Sequence, residues 1–150
     1  MEAIQTQHVG RAAAAAGEGT MIKIETQLSI FLDNRPGALA RACQALAKDG
    51  INIIALSISD TIDHAVVRMV VSDAKKAAKM LENLRITVLA REVIVMDMDN
   101  KPGVLAQIAE QLAEAGINIE YAYCTAASGQ QIGSMVLRTN DLSATIDALS

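Results

Sequence analysis

The chain of 150 residues contains no tryptophan, one phenylalanine and two tyrosines, so aromatic residues make up 2% of it. Proteins that hold single-stranded nucleic acid stack bases on aromatic rings, and this chain has almost none to offer. Basic residues are scarce as well. Thirteen Lys and Arg stand against 17 Asp and Glu, a formal net charge of −4, and the basic footprint of a duplex binder is missing. Nucleic acid is therefore not an expected partner. The two cysteines, Cys43 and Cys124, lie far apart and form no disulfide framework, which predicts reduced thiols. His8 and His64 are the only histidines, and no Cys-x-x-Cys or His-x-x-x-His spacing occurs, so neither a metal nor a cofactor is expected. No apolar run reaches the roughly 18 to 20 residues that span a bilayer. Residues 1–20 also lack the apolar segment of a secretory signal. The expectation is a cytoplasmic protein without membrane association.

Apolar material is plentiful: hydrophobic residues make up 51% and charged residues 20%, enough to bury a core. Only residues 1–20 fall outside this pattern. They carry an alanine run with Gly17 and Gly19 and no periodicity of 2 or 3.6, and read as a disordered tail or an upstream extension. Met21 then opens a strong alternation.

Shifting the chain by 66 residues aligns Asp33-Asn34-Arg35-Pro36-Gly37-Ala38-Leu39-Ala40 with Asp99-Asn100-Lys101-Pro102-Gly103-Val104-Leu105-Ala106, identical at six of eight positions. The same shift aligns Gly50-Ile51-Asn52-Ile53 with Gly116-Ile117-Asn118-Ile119. Two copies are too few for a solenoid, so the chain reads as a tandem pair of small domains, 21–90 and 91–150.

Within the first copy, Thr26 to Leu32 reads as a strand, broken by Asn34-Arg35-Pro36-Gly37. Pro36 fits the first turn of a helix, with Asn34 or its neighbour as N-cap. Leu39, Cys43, Leu46 and Ala47 form the apolar stripe of that helix, and Gly50 ends it. Leu105, Ile108, Ala109, Leu112 and Gly116 repeat the pattern. Asn52 to Ser59 and Ala65 to Val71 read as a hairpin. A second helix over Lys75 to Leu84 is capped by Asp73, and a strand over Arg85 to Ala90 runs almost directly into Glu92 to Met98. The order β-α-β-β-α-β is a split β-α-β arrangement, an α+β fold with both helices on one face of an antiparallel sheet.

A strand ending in Asp-Asn-x-Pro-Gly-x-Leu-Ala, a helix of about three turns and a Gly-Ile-Asn-Ile strand start together resemble the ACT domain, a ligand-sensing module of amino-acid metabolism. The doubled motif, over about Ile22 to Ser150, is similar to the stand-alone tandem ACT proteins. The resemblance implies two ferredoxin-like domains with their sheets side by side and an amino acid bound where they meet. One departure stands out. Leu149 corresponds to Leu81, after which the first copy still has a strand, whereas the chain stops at Ser150. The second domain therefore reads as C-terminally truncated, and the edge of Glu92 to Met98 must be exposed, paired with another chain or covered by the N-terminal extension.

Each Asp-Asn-x-Pro-Gly loop joins a strand to a helix, so free N–H groups near Gly37, Ala38 and Leu39, and near Gly103, Val104 and Leu105, meet the positive end of a helix dipole. A carboxylate binds well there. Gly37 and Gly103 permit close approach, while Asp33 and Asn34, or Asp99 and Asn100, offer acceptors to an α-ammonium group. Pro36 and Pro102 shape the loops. The resemblance implies that Asn52-Ile53 and Asn118-Ile119 lie at the domain-pairing edge, facing the loop of the other copy. Read by themselves, Asn52 and Asn118 are turn residues after a glycine cap, and Arg35 and Lys101 are solvated charges.

Cys43 reads as a buried small hydrophobe, and His64 has no nucleophile or carboxylate partner in the pattern. A hydrolase of the acylphosphatase type would need a poised Arg in the loop, and Lys101 replaces the only candidate, Arg35, in the second copy. No catalytic activity is expected. Ile51, Ile53 and Ala55 alternate with Ile54, Leu56 and Ile58, and Val67, Met69 and Val71 with Val66 and Val70. Both sheet faces thus read as apolar, which predicts a homodimer or a target enzyme on the face away from the helices. Two functions follow: a sensor that binds an amino acid between its two domains, or a ligand-independent interaction subunit resembling the regulatory subunits of acetolactate synthase.

Overall fold

The structure is a computed structural model describing residues 10–12 and 20–150. Its elements are β1 (Gly10–Ala12), β2 (Thr20–Asp33), α1 (Ala38–Lys48), β3 (Ile53–Asp60), β4 (His64–Val71), α2 (Ala74–Asn83), β5 (Thr87–Asp99), α3 (Val104–Glu114), β6 (Ile119–Thr125), β7 (Ile132–Thr139) and α4 (Leu142–Leu149). The chain divides into two compact units. One is Thr26–Glu92, and the other joins Val93–Ser150 to the described residues up to Glu25.

In the unit Thr26–Glu92 the strand order is β3-β4-β2-β5. Period-2 alternation sends Leu28, Ile30 and Leu32 of β2 and Val67, Met69 and Val71 of β4 to one face, where Ala42 and Leu46 of α1 and Ala77 and Leu81 of α2 cover them. Asp73 caps α2 as expected, accepting from Lys76 N at 3.1 Å. The stripe on α1 lies one position from the expected one: Ala42 and Leu46 are buried, Leu39 and Cys43 are half-buried, and Ala47 is exposed. In α3 Val104, Ile108 and Leu112 are buried, whereas Ala109 is exposed and Leu105 is 52% exposed. Each helix begins directly after a glycine, and its buried line runs i+4 and i+8 from that first residue. Position on the helix, rather than side-chain size, decides which residue is buried.

Alternation along β3 breaks at a bulge. Ile53 pairs with Val71 and Ala55 with Val70, which leaves Ile54 extra. One extra residue exchanges the faces beyond it. Leu56, opposite Met69, packs against the core together with Ile53, and Ile54 is left 55% exposed. The same bulge recurs in β6 between Ile119 and Tyr121. The expected second apolar face is accordingly not continuous. Arg68 pairs with Ser29 on one side and Ser57 on the other, and neighbouring Val70 is only 1% exposed. Neither Leu56 nor Val70 is a surface residue waiting for a partner.

The other unit orders its strands β2-β5-β7-β6. The two strands expected at 85–90 and 92–98 are one continuous strand, β5, and β2 neighbours it. Ile22, at the start of β2, is fully buried among Ile94, Met96, Ile108, Leu137 and Leu149. The first residues of β2 pack into this unit and β2 lies beside β5, so that edge is covered rather than open. Fourteen residues in β2 are enough to serve both units, while the expected strand of Thr26 to Leu32 served only one. Within the segment read as a tail, Gly10–Ala12 form β1 and pair with β2, Gly10 opposite Ile22 and Ala12 opposite Thr20; residues 1–9 and 13–19 lie outside the described residues.

Candidate functional site

Asp33 and Asp99 end β2 and β5, and Gly37 and Gly103 are the N-caps of α1 and α3. The caps are not side chains. Gly37 and Gly103 take φ of 88° and 91°, a left-handed backbone in which a Cβ would be strained, and no side chain bonds to the first turn. Asn34 was the expected cap, but it lies three residues too early and does something else.

Its backbone N donates to Asp63 O at 3.2 Å, and its Nδ2 to Thr61 O at 3.3 Å. Asn100 repeats this with N to Gln131 O at 2.7 Å and Nδ2 to Ala127 O and Gln130 O at 3.2 and 2.8 Å. Each asparagine thus fastens its loop to the tip of the adjoining hairpin. Asp33 pairs with His64 and Asp99 with Ile132 in the sheet register, which carries the next residue to the tip. With the amide nitrogens committed in this way, the Oδ1 of each asparagine is the atom left with acceptor capacity. The second hairpin is longer, 126–131 against 61–63, and supplies the additional carbonyl.

The charged residues of the loops are ion-paired: Arg35 Nη2 to Asp33 Oδ2 at 3.4 Å, and Lys101 Nζ to Asp99 Oδ2 at 3.1 Å. These pairs are exposed and contribute little stability. Helical bonding starts with Arg41 N to Gly37 O and Gln107 N to Gly103 O, both at 3.0 Å. The N–H groups of Leu39 and Ala40, and of Leu105 and Ala106, therefore have no intrahelical partner. Ala38 N turns back to Arg35 O at 3.4 Å. No atom stands within 4 Å of a Cβ built on Gly37 or Gly103, so the space over both caps is open. A carboxylate can approach these amides at the positive end of the helix.

Ala38 and Leu39 are half-buried against the core, and Val104 is 2% exposed, so Val104 can offer a ligand only its backbone. Asn52 and Asn118 do not join the loop of their own copy. They follow α1 and α3, each of 11 residues, which separates the helix ends by about 16 Å. Their backbones are fixed: Asn52 N donates to Ser72 Oγ at 2.9 Å, and Asn118 N to Asn140 Oδ1 at 3.0 Å. Ile53 and Ile119 pack against their respective cores.

A cleft of about 420 Å³ opens beside the first loop, lined by Asp33, Arg35, Gly37, Arg41, Arg85 and Ile86 among others. Arg41 and Arg85 were not singled out from the sequence, although Arg41 stands one turn beyond Gly37. The hairpin-tip carbonyls have no side-chain signature at all. Among the described residues no group of three or more His, Cys, Asp or Glu could hold a metal ion, and no helix is long and apolar enough to cross a membrane. Cys43 is half-buried, against the expectation of full burial, and Cys124 is exposed.

Two units of split β-α-β type carrying one and the same glycine-capped loop define a domain pair. The chain belongs to the ACT domain pair family, which matches it over residues 22–149. No curated protein matches it. Among solved structures it is similar to protein BT0572 from Bacteroides thetaiotaomicron, with 35% identity and a TM-score of 0.79 over 84% of this chain and 86% of that one. It also shares its fold with the regulatory subunits of aspartate kinase from Thermus thermophilus (21% identity, TM-score 0.61, covering 85% and 93%) and Thermus flavus (21%, 0.64, 89% and 96%).

Proposed function

We propose that the protein is a non-catalytic regulatory module that binds a free amino acid at its strand-to-helix loops. The observation that carries this is the conjunction, in both copies, of open space over a left-handed glycine cap, unpartnered helix N-terminal amides, and an asparagine whose nitrogen is tethered so that its oxygen is presented. A carboxylate and an ammonium group are thereby each given partners, as burial of both charges demands. The likeness to regulatory subunits of aspartate kinase supports a role in controlling an enzyme.

A second reading, a ligand-independent interaction subunit, draws on β3. That strand has β4 as its neighbour and presents Ile54 and Ile58, 55% and 48% exposed, with Ile62 at the hairpin tip 96% exposed. An open edge with apolar side chains suits pairing with a second copy or with a target enzyme. Thermal shift and calorimetry against the twenty amino acids separate the two readings. Saturable binding of one amino acid supports the sensor, and no binding of any at millimolar concentration overturns it.

A further inference from the structure

Three helices in the unit Thr26–Glu92 and its repeat end in the same way, and one of them breaks the rule that governs the other two. After α1, Gly50 N donates to Ala47 O and Ile51 N to Leu46 O; after α3, Gly116 N donates to Ala113 O and Ile117 N to Leu112 O. This paired bonding requires a left-handed residue, and Gly50 and Gly116 supply it at φ 71° and 70°. After α2, Arg85 N donates to Glu82 O at 2.8 Å and Ile86 N to Leu81 O at 3.1 Å, the same motif. Yet the left-handed residue is an arginine at φ 61°, the only non-glycine with positive φ among the described residues. Glycine would hold this turn without strain, so local structure does not explain the arginine.

Arg85 lines the cleft beside the first loop, together with Arg41. Arg35 in the same lining is spent on Asp33. Arg41 and Arg85, both exposed, have no ion-pair partner among the described residues, which leaves two guanidinium groups beside the free helix amides. The second copy is unlike the first here. Gln107 stands where Arg41 stands in the repeat.

We propose, building on the amino-acid reading above, that the ligand of the first loop is an acidic amino acid, its α-carboxylate on the α1 amides and its side-chain carboxylate on Arg41 and Arg85. The second loop has the neutral Gln107 in place of Arg41. Guanidinium groups suit the task because their planar donors match a carboxylate in a bidentate fork. The strained Arg85 is kept for its charge, at a cost to the α2 terminus.

Calorimetry on the full chain with L-aspartate, L-glutamate, L-asparagine, L-glutamine and inorganic phosphate tests the proposal. Aspartate or glutamate should bind at least tenfold more tightly than its amide, with affinity falling as salt is raised. Arg85→Gly should weaken that binding at least tenfold while leaving the melting temperature equal or higher, a combination a purely structural arginine would not give. Arg41→Gln, which installs the residue of the second copy, should weaken binding similarly without a change in melting temperature. If a neutral or basic amino acid binds and neither variant alters its affinity, this proposal is overturned while the sensor reading stands. Phosphate binding in the absence of any amino-acid binding overturns both.

Discussion

The Nδ2 of Asn34 donates to the carbonyl oxygen of Thr61 at 3.3 Å, across 27 residues of sequence. Asn100 makes the corresponding link twice, to Ala127 and Gln130. The asparagine of the motif therefore acts on the scaffold, tying its loop to the hairpin tip. A net hydrogen bond of this kind contributes about 0.5–1.5 kcal/mol. Asn34→Ala should lower the stability of the free protein by about that much, and Asn100→Ala by more because two bonds are lost. Urea denaturation monitored by circular dichroism measures both. Equal, negligible losses would show that the tethers contribute nothing and that the asparagines serve a ligand alone.

Ile22 belongs by sequence to the first repeat and by packing to the second. It is fully buried among Ile94, Met96, Ile108 and Leu149, and Ile→Ala at such a site costs about 2–5 kcal/mol. Hydrogen exchange should show the loss of protection in α3 and α4 before α1 and α2. A strand appended after Ser150 and copied from residues 85–90 should not raise the melting temperature, since β2 already lies beside β5. A clear rise would mean that β2 leaves that edge open.

Much of this was legible because repetition and alternation are properties of the sequence itself. The 66-residue shift marked both loops, Asp73 announced the start of α2, and Gly50 and Gly116 announced the ends of α1 and α3. What escaped has physical causes. One added residue at Ile54 or Glu120 moves Leu56 from a supposed outer face to the core, and no composition signal marks a bulge. A strand that serves two units looks like an ordinary strand with a ragged start, which is how Met21 to Glu25 came to be placed with the first copy. The cap escaped because asparagine is the commoner N-cap in general, whereas this backbone turns left-handed at the glycine three residues later. Arg41 and Arg85 are 44 positions apart in the sequence, and only the fold brings them to one cleft.

Gly37 and Gly103 have room for a methyl group but not the backbone for one. With no atom within 4 Å of a Cβ, any penalty for Gly37→Ala comes from φ 88° alone, about 1–2 kcal/mol. D-alanine at the same position, introduced by chemical ligation, accepts positive φ and should restore stability. If ligand binding is lost with Gly37→Ala while stability falls by no more than that amount, the open space over the cap is what the ligand occupies. If stability is not restored, steric contact rather than strain sets the requirement for glycine.

The bulge in β3 makes opposite predictions for two neighbouring apolar residues. Leu56 lies opposite Met69 and packs, half-buried, on the core, so Leu56→Lys removes that apolar contact and should destabilise the unit Thr26–Glu92 by about 1–3 kcal/mol. Ile54, the extra residue of the bulge, is 55% exposed, and Ile54→Lys should leave stability within about 0.5 kcal/mol of the parent. The second substitution also reports on assembly. A lysine on an open edge opposes strand-to-strand pairing, so if β3 pairs with a second copy, light scattering should show Ile54→Lys shifting from dimer to monomer at unchanged melting temperature. A parent protein that is monomeric at micromolar concentration would remove β3 as a self-association edge. A Leu56→Lys variant that folds normally and merely dissociates would place Leu56 at the surface, and the bulge register would be wrong.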